Sequence, residues 1–390
     1  MAVVDEVQKR ATGKVPPPMP GAGAQQPQAA NGNGQPQQQG GQPPAGGGEV
    51  ERERLRMMLL IRRFEERTLN EFKNPRRLPD GSTEMKIAGF LHIYSGQEAV
   101  AVGCAALFDH SRDALVNGYR CHGHSLALGM SPHAAMAELF GKVTGCSKGK
   151  GGSMHLFDAK HGNHGGHGIV GGHIPLGLGF AFAQKYKKTG GITFCLFGDG
   201  AVNQGTFNEA LNMASLYKTP CIFIVENNGV AMGTQVERAS AERDLVKRGC
   251  GFAMPCLGVD GNDLDAFIAD VGECVRRARS GGGPSYVVAN TFRFRGHSVS
   301  DPLKYRTKEQ QEQAKLRDPI AIYAKRLHER RLLSDAEYDA IREEDWSASE
   351  IASAVEREVD EAIQQAESDP NPPLESRFDD ALAERYPLQK

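Results

Sequence analysis

An apolar run, Ile192 to Phe197, ends in Gly198-Asp199-Gly200, and a second run, Cys221 to Val225, ends in Glu226-Asn227-Asn228. A buried strand that stops at an acidic residue between two glycines puts one carboxylate at a sheet's carboxyl edge, where it can hold a hard cation. Magnesium takes oxygen ligands in near-octahedral geometry and is normally held by one or two protein oxygens plus the phosphates of a ligand. Asp199 and the amide oxygen of Asn228 are the candidate ligands. Tyr119-Arg120 follow a third short run, Ala114 to Val116. Arginine offers diphosphate oxygens a planar fork of donors, and a tyrosine hydroxyl adds a neutral one.

Asp-Gly beside an apolar run is more commonly a hairpin turn. The residues downstream argue for something else. Asn203-Gln204-Gly205 precede Phe207, Ala210, Leu211, Ala214 and Leu216, a helical recurrence, before the second apolar run begins. Strand, Gly-rich turn, helix, strand is a βαβ unit, which brings both polar ends to one sheet edge.

The elements around this unit continue the alternation. An amphipathic helix is expected around Leu55 to Leu69, helices over Gln97 to Phe108 and Pro132 to Phe140, and a strand at Ala114 to Val116. Gly141 to Gly179 is Gly- and His-rich and reads as a long loop region of functional type. A helix around Ala241 to Lys247, a strand near Val259, helix Asp263 to Arg279 and strand Ser285 to Phe292 follow. The expected fold is therefore α/β, a doubly wound, mainly parallel sheet. Three regions are expected: a Pro/Gln/Gly-rich tail over 1–50, disordered for want of apolar periodicity, an α/β domain over 51–307, and a charged helical extension over 308–390.

Bulk properties exclude several classes. The chain has 390 residues and a net charge of −2, with no basic footprint for nucleic acid. No apolar stretch approaches the roughly 20 residues needed to cross a bilayer, and the N-terminus lacks an apolar signal core or an Arg-rich transit pattern. Eight scattered cysteines show no metal or redox spacing and read as reduced thiols. The expectation is a cytoplasmic protein that contacts neither membrane nor nucleic acid.

Gly198-Asp199-Gly200, then 26 residues, then Asn227-Asn228, is the thiamine diphosphate-binding signature. Further matches are Gly89-Phe90-Leu91-His92, Gly96-Gln97-Glu98-Ala99, Tyr119-Arg120-Cys121-His122-Gly123-His124, Gly149 to His155, and Gly168-Ile169-Val170-Gly171. From about Leu55 to Asp369 the chain resembles the α subunits of the thiamine diphosphate-dependent 2-oxo acid dehydrogenases, pyruvate dehydrogenase type. The resemblance implies oxidative decarboxylation of pyruvate with acetyl transfer to a lipoyl group. It implies thiamine diphosphate and Mg²⁺ as cofactors, a β subunit in an α₂β₂ heterotetramer, and a lipoyl acyltransferase core. By motif, Tyr119, Arg120 and Arg293 would bind the diphosphate, Gly168 and Val170 would contact the cofactor, and Gly200 and Ala201 would lie against the phosphates. Asp199, Asn228 and the carbonyl of Val230 would hold Mg²⁺, and His92 and His297 would line the pocket where substrate and lipoyl arm meet.

The sequence departs from the family pattern in three places. Val230 replaces a usual aromatic residue, though the implied ligand is its backbone oxygen. His173 stands where many relatives carry Gln. Ser298 matches the first regulatory serine of eukaryotic relatives, whereas Leu303-Lys304-Tyr305 lacks a second one found there. His155, His161, His164, His167 and His173 have spacings that could suit a transition metal, but polar loop packing is the reading adopted. The alternatives are an acetoin or branched-chain 2-oxo acid enzyme of the same superfamily, or a non-catalytic nucleotide-binding module. The last would carry a Gly-x-Gly-x-x-Gly opening the helix after a first strand, with an acidic residue further on, and the one such string, Gly166 to Gly171, falls in the region read as loop.

Overall fold

The structure, a computed structural model, describes residues 48–379. The tail expected to be disordered therefore lies outside the described residues except for its last three positions. In chain order the helices and sheet strands are α1 (Glu49–Lys73), α2 (Glu98–Leu107), β1 (Ala114–Gly118), α3 (His122–Ala127), α4 (Pro132–Leu139), β2 (Asn163–His167), α5 (Ile174–Lys187), β3 (Thr193–Gly198), α6 (Gly205–Leu216) and β4 (Cys221–Asn227). There follow α7 (Leu245–Cys250), β5 (Cys256–Asp260), α8 (Leu264–Arg279), β6 (Ser285–Asn290), α9 (Lys308–Lys315), α10 (Pro319–Glu329), α11 (Asp335–Arg342) and α12 (Glu350–Ser368).

These six strands form one sheet in the order β2-β1-β3-β4-β6-β5, parallel throughout, and two short antiparallel ladders pair Arg76–Arg77 with Thr83–Glu84 and Val230–Ala231 with Thr234–Gln235. Alternation along β4 shows how it is covered on both faces. Cys221, Phe223 and Val225 pack with α5, α6 and α7 through Leu178, Phe207 and Leu245. Ile222 and Ile224 pack on the other side with α2 and α8 through Cys104, Phe267 and Val271. A parallel strand buried on both faces reads as a continuous apolar run, which is why β3 and β4 were legible. A third apolar cluster joins α1 to the C-terminal helices, with Leu55, Phe64, Leu327, Val355 and Val359 buried together.

Register brings the polar strand ends to one edge. Gly198 lies beside Glu226, Asn227 beside Asn290, and Gly118 beside His167. The region expected as loop between Gly141 and Gly179 is a correction: it contains β2 and the first turns of α5. β2 reads Asn-His-Gly-Gly-His and lies at the sheet edge, paired with β1 across a register shift, and it carries no apolar signature. The helix expected at Ala241 to Lys247 begins later, at Leu245, because the Asp244 side chain caps it by accepting from Val246 N–H. Helix α11, capped by the reciprocal Ser334 and Glu337 box, was not foreseen.

Candidate active site

Strand β1 lies between β2 and β3, so the chain leaves it in one direction and later crosses back to the other side. The crevice at the carboxyl ends of β1 and β3 is therefore a topological switch point, where open α/β sheets take their ligands. A cavity of about 870 Å³ opens there. Its lining includes each residue that the resemblance assigns to the site: His92, Tyr119, Arg120, Gly168, Val170, Asp199, Gly200, Ala201, Asn228, Val230, Arg293 and His297.

Asp199 opens a 3₁₀ turn directly after β3 and is 4% exposed. Burial pushes its carboxyl up to about 6, against the opposing pull of its own backbone N–H and of Arg293, Arg306 and Arg120. The other acids of the wall are already engaged. Glu226 accepts from the Tyr94 hydroxyl and meets His124 Nε2, and Asp301 accepts from His297 N–H and the Tyr305 hydroxyl. Among the described residues no side chain pairs with Asp199, which leaves it a buried carboxylate facing open space. Asn228 donates from Nδ2 to Gln97 Oε1 at 3.1 Å while Val230 N–H approaches its Oδ1 at 3.4 Å. That partnership fixes the amide orientation and keeps the oxygen on the Val230 side.

Cationic groups face this acid. Arg120 donates to the carbonyls of Ile93 at 2.6 Å and His297 at 2.7 Å, and burial with repulsion from Arg293 draws its pKa down to about 10. Buried Arg293 donates to Arg295 O and toward the Tyr305 hydroxyl, and Arg306 donates to the Arg293 carbonyl. Each guanidinium has five N–H donors, so both Arg120 and Arg293 keep some for an anion. His92, Tyr119 and His297 form a three-ring cluster, with centroids 4.7 Å apart for His92–Tyr119 and 5.3 Å for His92–His297. Burial and then the Arg120 charge lower His92 to about 3 and His297 to about 4, so both rings are neutral at pH 7. The arrangement can bind a diphosphate with a hard cation and present two neutral imidazoles beside it.

Close backbone approach is built in at Gly200. A Cβ there would lie 2.6 Å from that of Ala231, so only glycine lets the turn after β3 pack against the Val230–Ala231 ladder. The glycine loop Gly149-Lys150-Gly151-Gly152, by contrast, does not cradle a ligand with its amides. The buried Glu138 carboxylate accepts from the N–H groups of Ser147, Gly149, Gly151 and Gly152 at 2.6–3.1 Å. The histidine-rich stretch is likewise committed to the protein. His155 meets Gly166 O, His161 meets Asp158, His167 meets His164 O, His173 meets Leu196 O, and His164 stacks on Phe180. Among the described residues no three His, Cys, Asp or Glu side chains are grouped to hold a metal.

Sequence reasoning missed Gln97, Glu226, Tyr94 and Glu138. Glu226 carried a usable signal, since it ends the β4 apolar run as Asp199 follows that of β3. Glu138 carried none, because an acid within a short helix reads as a solvated face.

Residues 56–375 match the family described as "Dehydrogenase E1 component". A protein of Zymomonas mobilis subsp. mobilis named "Pyruvate dehydrogenase E1 component subunit alpha" is 43% identical over 332 residues, 85% of this chain and 88% of the relative. One of the same name from Rhizobium meliloti is 42% identical over 84% of this chain and 88% of its own length. "Pyruvate dehydrogenase E1 component subunit alpha-3, chloroplastic" of Arabidopsis thaliana is 41% identical over 77% of this chain and 69% of the relative.

Proposed function

The chain belongs to the dehydrogenase E1 component family, and we propose that it is the α subunit of a pyruvate dehydrogenase. It acts in the decarboxylation of pyruvate and the transfer of the acetyl group to a lipoyl disulfide, which is reduced as the acyl carbon is oxidised. The observation that carries this reading is the meeting, in one cavity at the β1–β3 switch point, of Tyr119, Arg120 and Arg293 as donors for a diphosphate, the carboxylate Asp199 and two neutral histidines.

The residues present fit thiamine diphosphate with Mg²⁺. Asp199 is a buried carboxylate that no side chain pairs with among the described residues, Asn228 offers an oriented amide oxygen beside Val230, and Gly200 lets the turn after β3 close on the Val230–Ala231 ladder. Asp199, Asn228 Oδ1 and the Val230 carbonyl are assigned to Mg²⁺. Tyr119, Arg120 and Arg293 are assigned to the diphosphate, with Gly168, Val170, Gly200 and Ala201 along the cofactor. When bound, thiamine diphosphate supplies the electron sink for loss of CO₂. The chain's own groups orient the substrate, neutralise phosphate charge and exclude water. His92 lines the cavity, and among the described residues neither of its ring nitrogens is hydrogen-bonded to the protein, so the imidazole is left to bond a substrate oxygen or to hold a proton there.

A β subunit completes the enzyme in this reading, in an α₂β₂ assembly that serves a lipoyl acyltransferase core. Supporting it, Leu176, Phe182 and Tyr186 of α5 and Met213 and Leu216 of α6, with Tyr217, form an exposed apolar face in which the Phe182 and Tyr217 rings stand 5.8 Å apart. Such a face marks an interaction surface. Among the described residues no helix is long and apolar enough to cross a membrane.

The test is reconstitution with the β subunit and an assay of pyruvate, acetoin and branched-chain 2-oxo acids with an artificial electron acceptor. Pyruvate is expected as the preferred substrate, and the chain alone as inactive. Preference for acetoin or a branched acid would overturn the substrate assignment, and turnover by the chain alone would overturn the shared site.

A further inference from the structure

Among the described residues His92 has no hydrogen bond to either ring nitrogen, and its Nδ1 is buried. Its position therefore comes from its main chain and from the rings packed on it. Three residues outside the cavity hold that main chain. Glu65 on α1, His122 at the start of α3 and Ser153 in the turn after the glycine loop are all buried, at 0%, 0% and 4% exposure.

We propose that Glu65, His122 and Ser153 are positioning residues for His92, acting as a hydrogen-bonded relay behind it. The proposal rests on the reading of His92 as a site residue. Glu65 Oε2 takes His122 Nδ1 at 3.0 Å, and His122 Nε2 meets Ser153 Oγ at 3.0 Å. Ser153 Oγ then accepts from the backbone N–H of His92 at 3.4 Å. The other Glu65 oxygen accepts from Tyr94 N–H at 2.9 Å, so the relay grips the chain on both sides of Ile93, whose carbonyl Arg120 already holds.

Proton directions along the relay are determined by its ends. A carboxylate only accepts, so His122 Nδ1 donates to Glu65, and in the neutral ring that leaves Nε2 as the acceptor. The Ser153 hydroxyl donates to that Nε2, and its lone pair remains for His92 N–H. A buried acid–imidazole pair adds little net stability compared with apolar packing, and its best-attested use is to specify one arrangement. Here the arrangement specified is the backbone that carries His92.

The Ser153 link is the longest of the relay and therefore the weakest, so removing the hydroxyl tests position with little risk to folding. The enzyme assembled with its β subunit is measured for kcat, for KM of pyruvate and for thiamine diphosphate affinity. Ser153→Ala is expected to lower kcat by about 3–10-fold, since small misplacements of a reacting group cost rate steeply. KM and cofactor affinity should stay within about twofold of wild type, and Ser153→Thr should restore kcat. Glu65→Gln should lower kcat further. In a His92→Ala background, Ser153→Ala should add no further loss. An equal loss from Ser153→Ala with and without His92, or wild-type kcat in Ser153→Ala, would overturn the relay alone. Unchanged turnover in His92→Ala would overturn the reading of His92 and the relay with it.

Discussion

Arg120 and His297 are joined through the main chain: the guanidinium donates to the His297 carbonyl at 2.7 Å while its other Nη holds the Ile93 carbonyl at 2.6 Å. One side chain thus ties the segment of His92 to that of His297. Its charge also adds to burial in keeping both imidazoles neutral. A lysine is a point charge on a flexible stem and does not reproduce the fixed fork whose two Nη atoms reach these carbonyls. Arg120→Lys is expected to lower kcat by about 10–100-fold and to weaken cofactor binding. Steady-state kinetics at saturating cofactor check this, and wild-type kcat would show that the bridge does not position the site.

Gly200 and Ala231 give a paired test of close approach. Gly200→Ala sets two Cβ atoms 2.6 Å apart, so the turn after β3 or the Val230–Ala231 ladder must shift. Cofactor affinity should fall by about tenfold or more, and Ala231→Gly in the same chain should recover most of it. Titration of cofactor into the single and double variants reads the coupling directly. Additive losses would show that the two positions do not share the constraint.

Asp199 makes the metal-free protein sensitive to pH. Burial raises its folded pKa to about 6 from the ordinary 3.8, so its contribution to stability is full below pH 4 and is lost as pH rises through 6. Asp199→Asn should therefore melt above wild type at pH 7–8 in EDTA, by up to about 3 kcal/mol, and match it near pH 4. Thermal melts across that range check the sign. His92 is lowered instead and so loses stability as pH falls below about 6.5, but both proteins contain it and the difference isolates Asp199. Asp199→Asn melting below wild type at pH 8 would contradict the burial argument.

Glu138 should be a stability residue. Its carboxylate holds four loop amides, so Glu138→Ala leaves four half-buried donors without their acceptor, at a cost of about 2 kcal/mol or more. A melting temperature within a degree of wild type would contradict this.

The site was legible where chemistry and burial coincide. Runs buried on both faces exposed β3 and β4, and the acid or amide just past each run marked the sheet edge where ligands collect. The position of β2 was hidden, because an edge strand of Asn, His and Gly carries no alternation. The supports were hidden for another reason: Glu65, Glu138 and Glu226 act through partners 57, 9 to 14 and 102 to 132 residues away, distances that only the fold closes. Gln97 was quoted within a motif, yet its task, turning the Asn228 amide, depends on the contact between them across 131 residues.

The central claim is that Asp199 anchors the cation through which the cavity takes its diphosphate. Calorimetric titration of thiamine diphosphate into the protein assembled with its β subunit, with and without Mg²⁺, tests it most directly. Wild type should bind only when Mg²⁺ is present, and folded Asp199→Ala should give no binding heat under either condition. Wild-type affinity in Asp199→Ala would contradict the assignment of the metal and, with it, the account of the site.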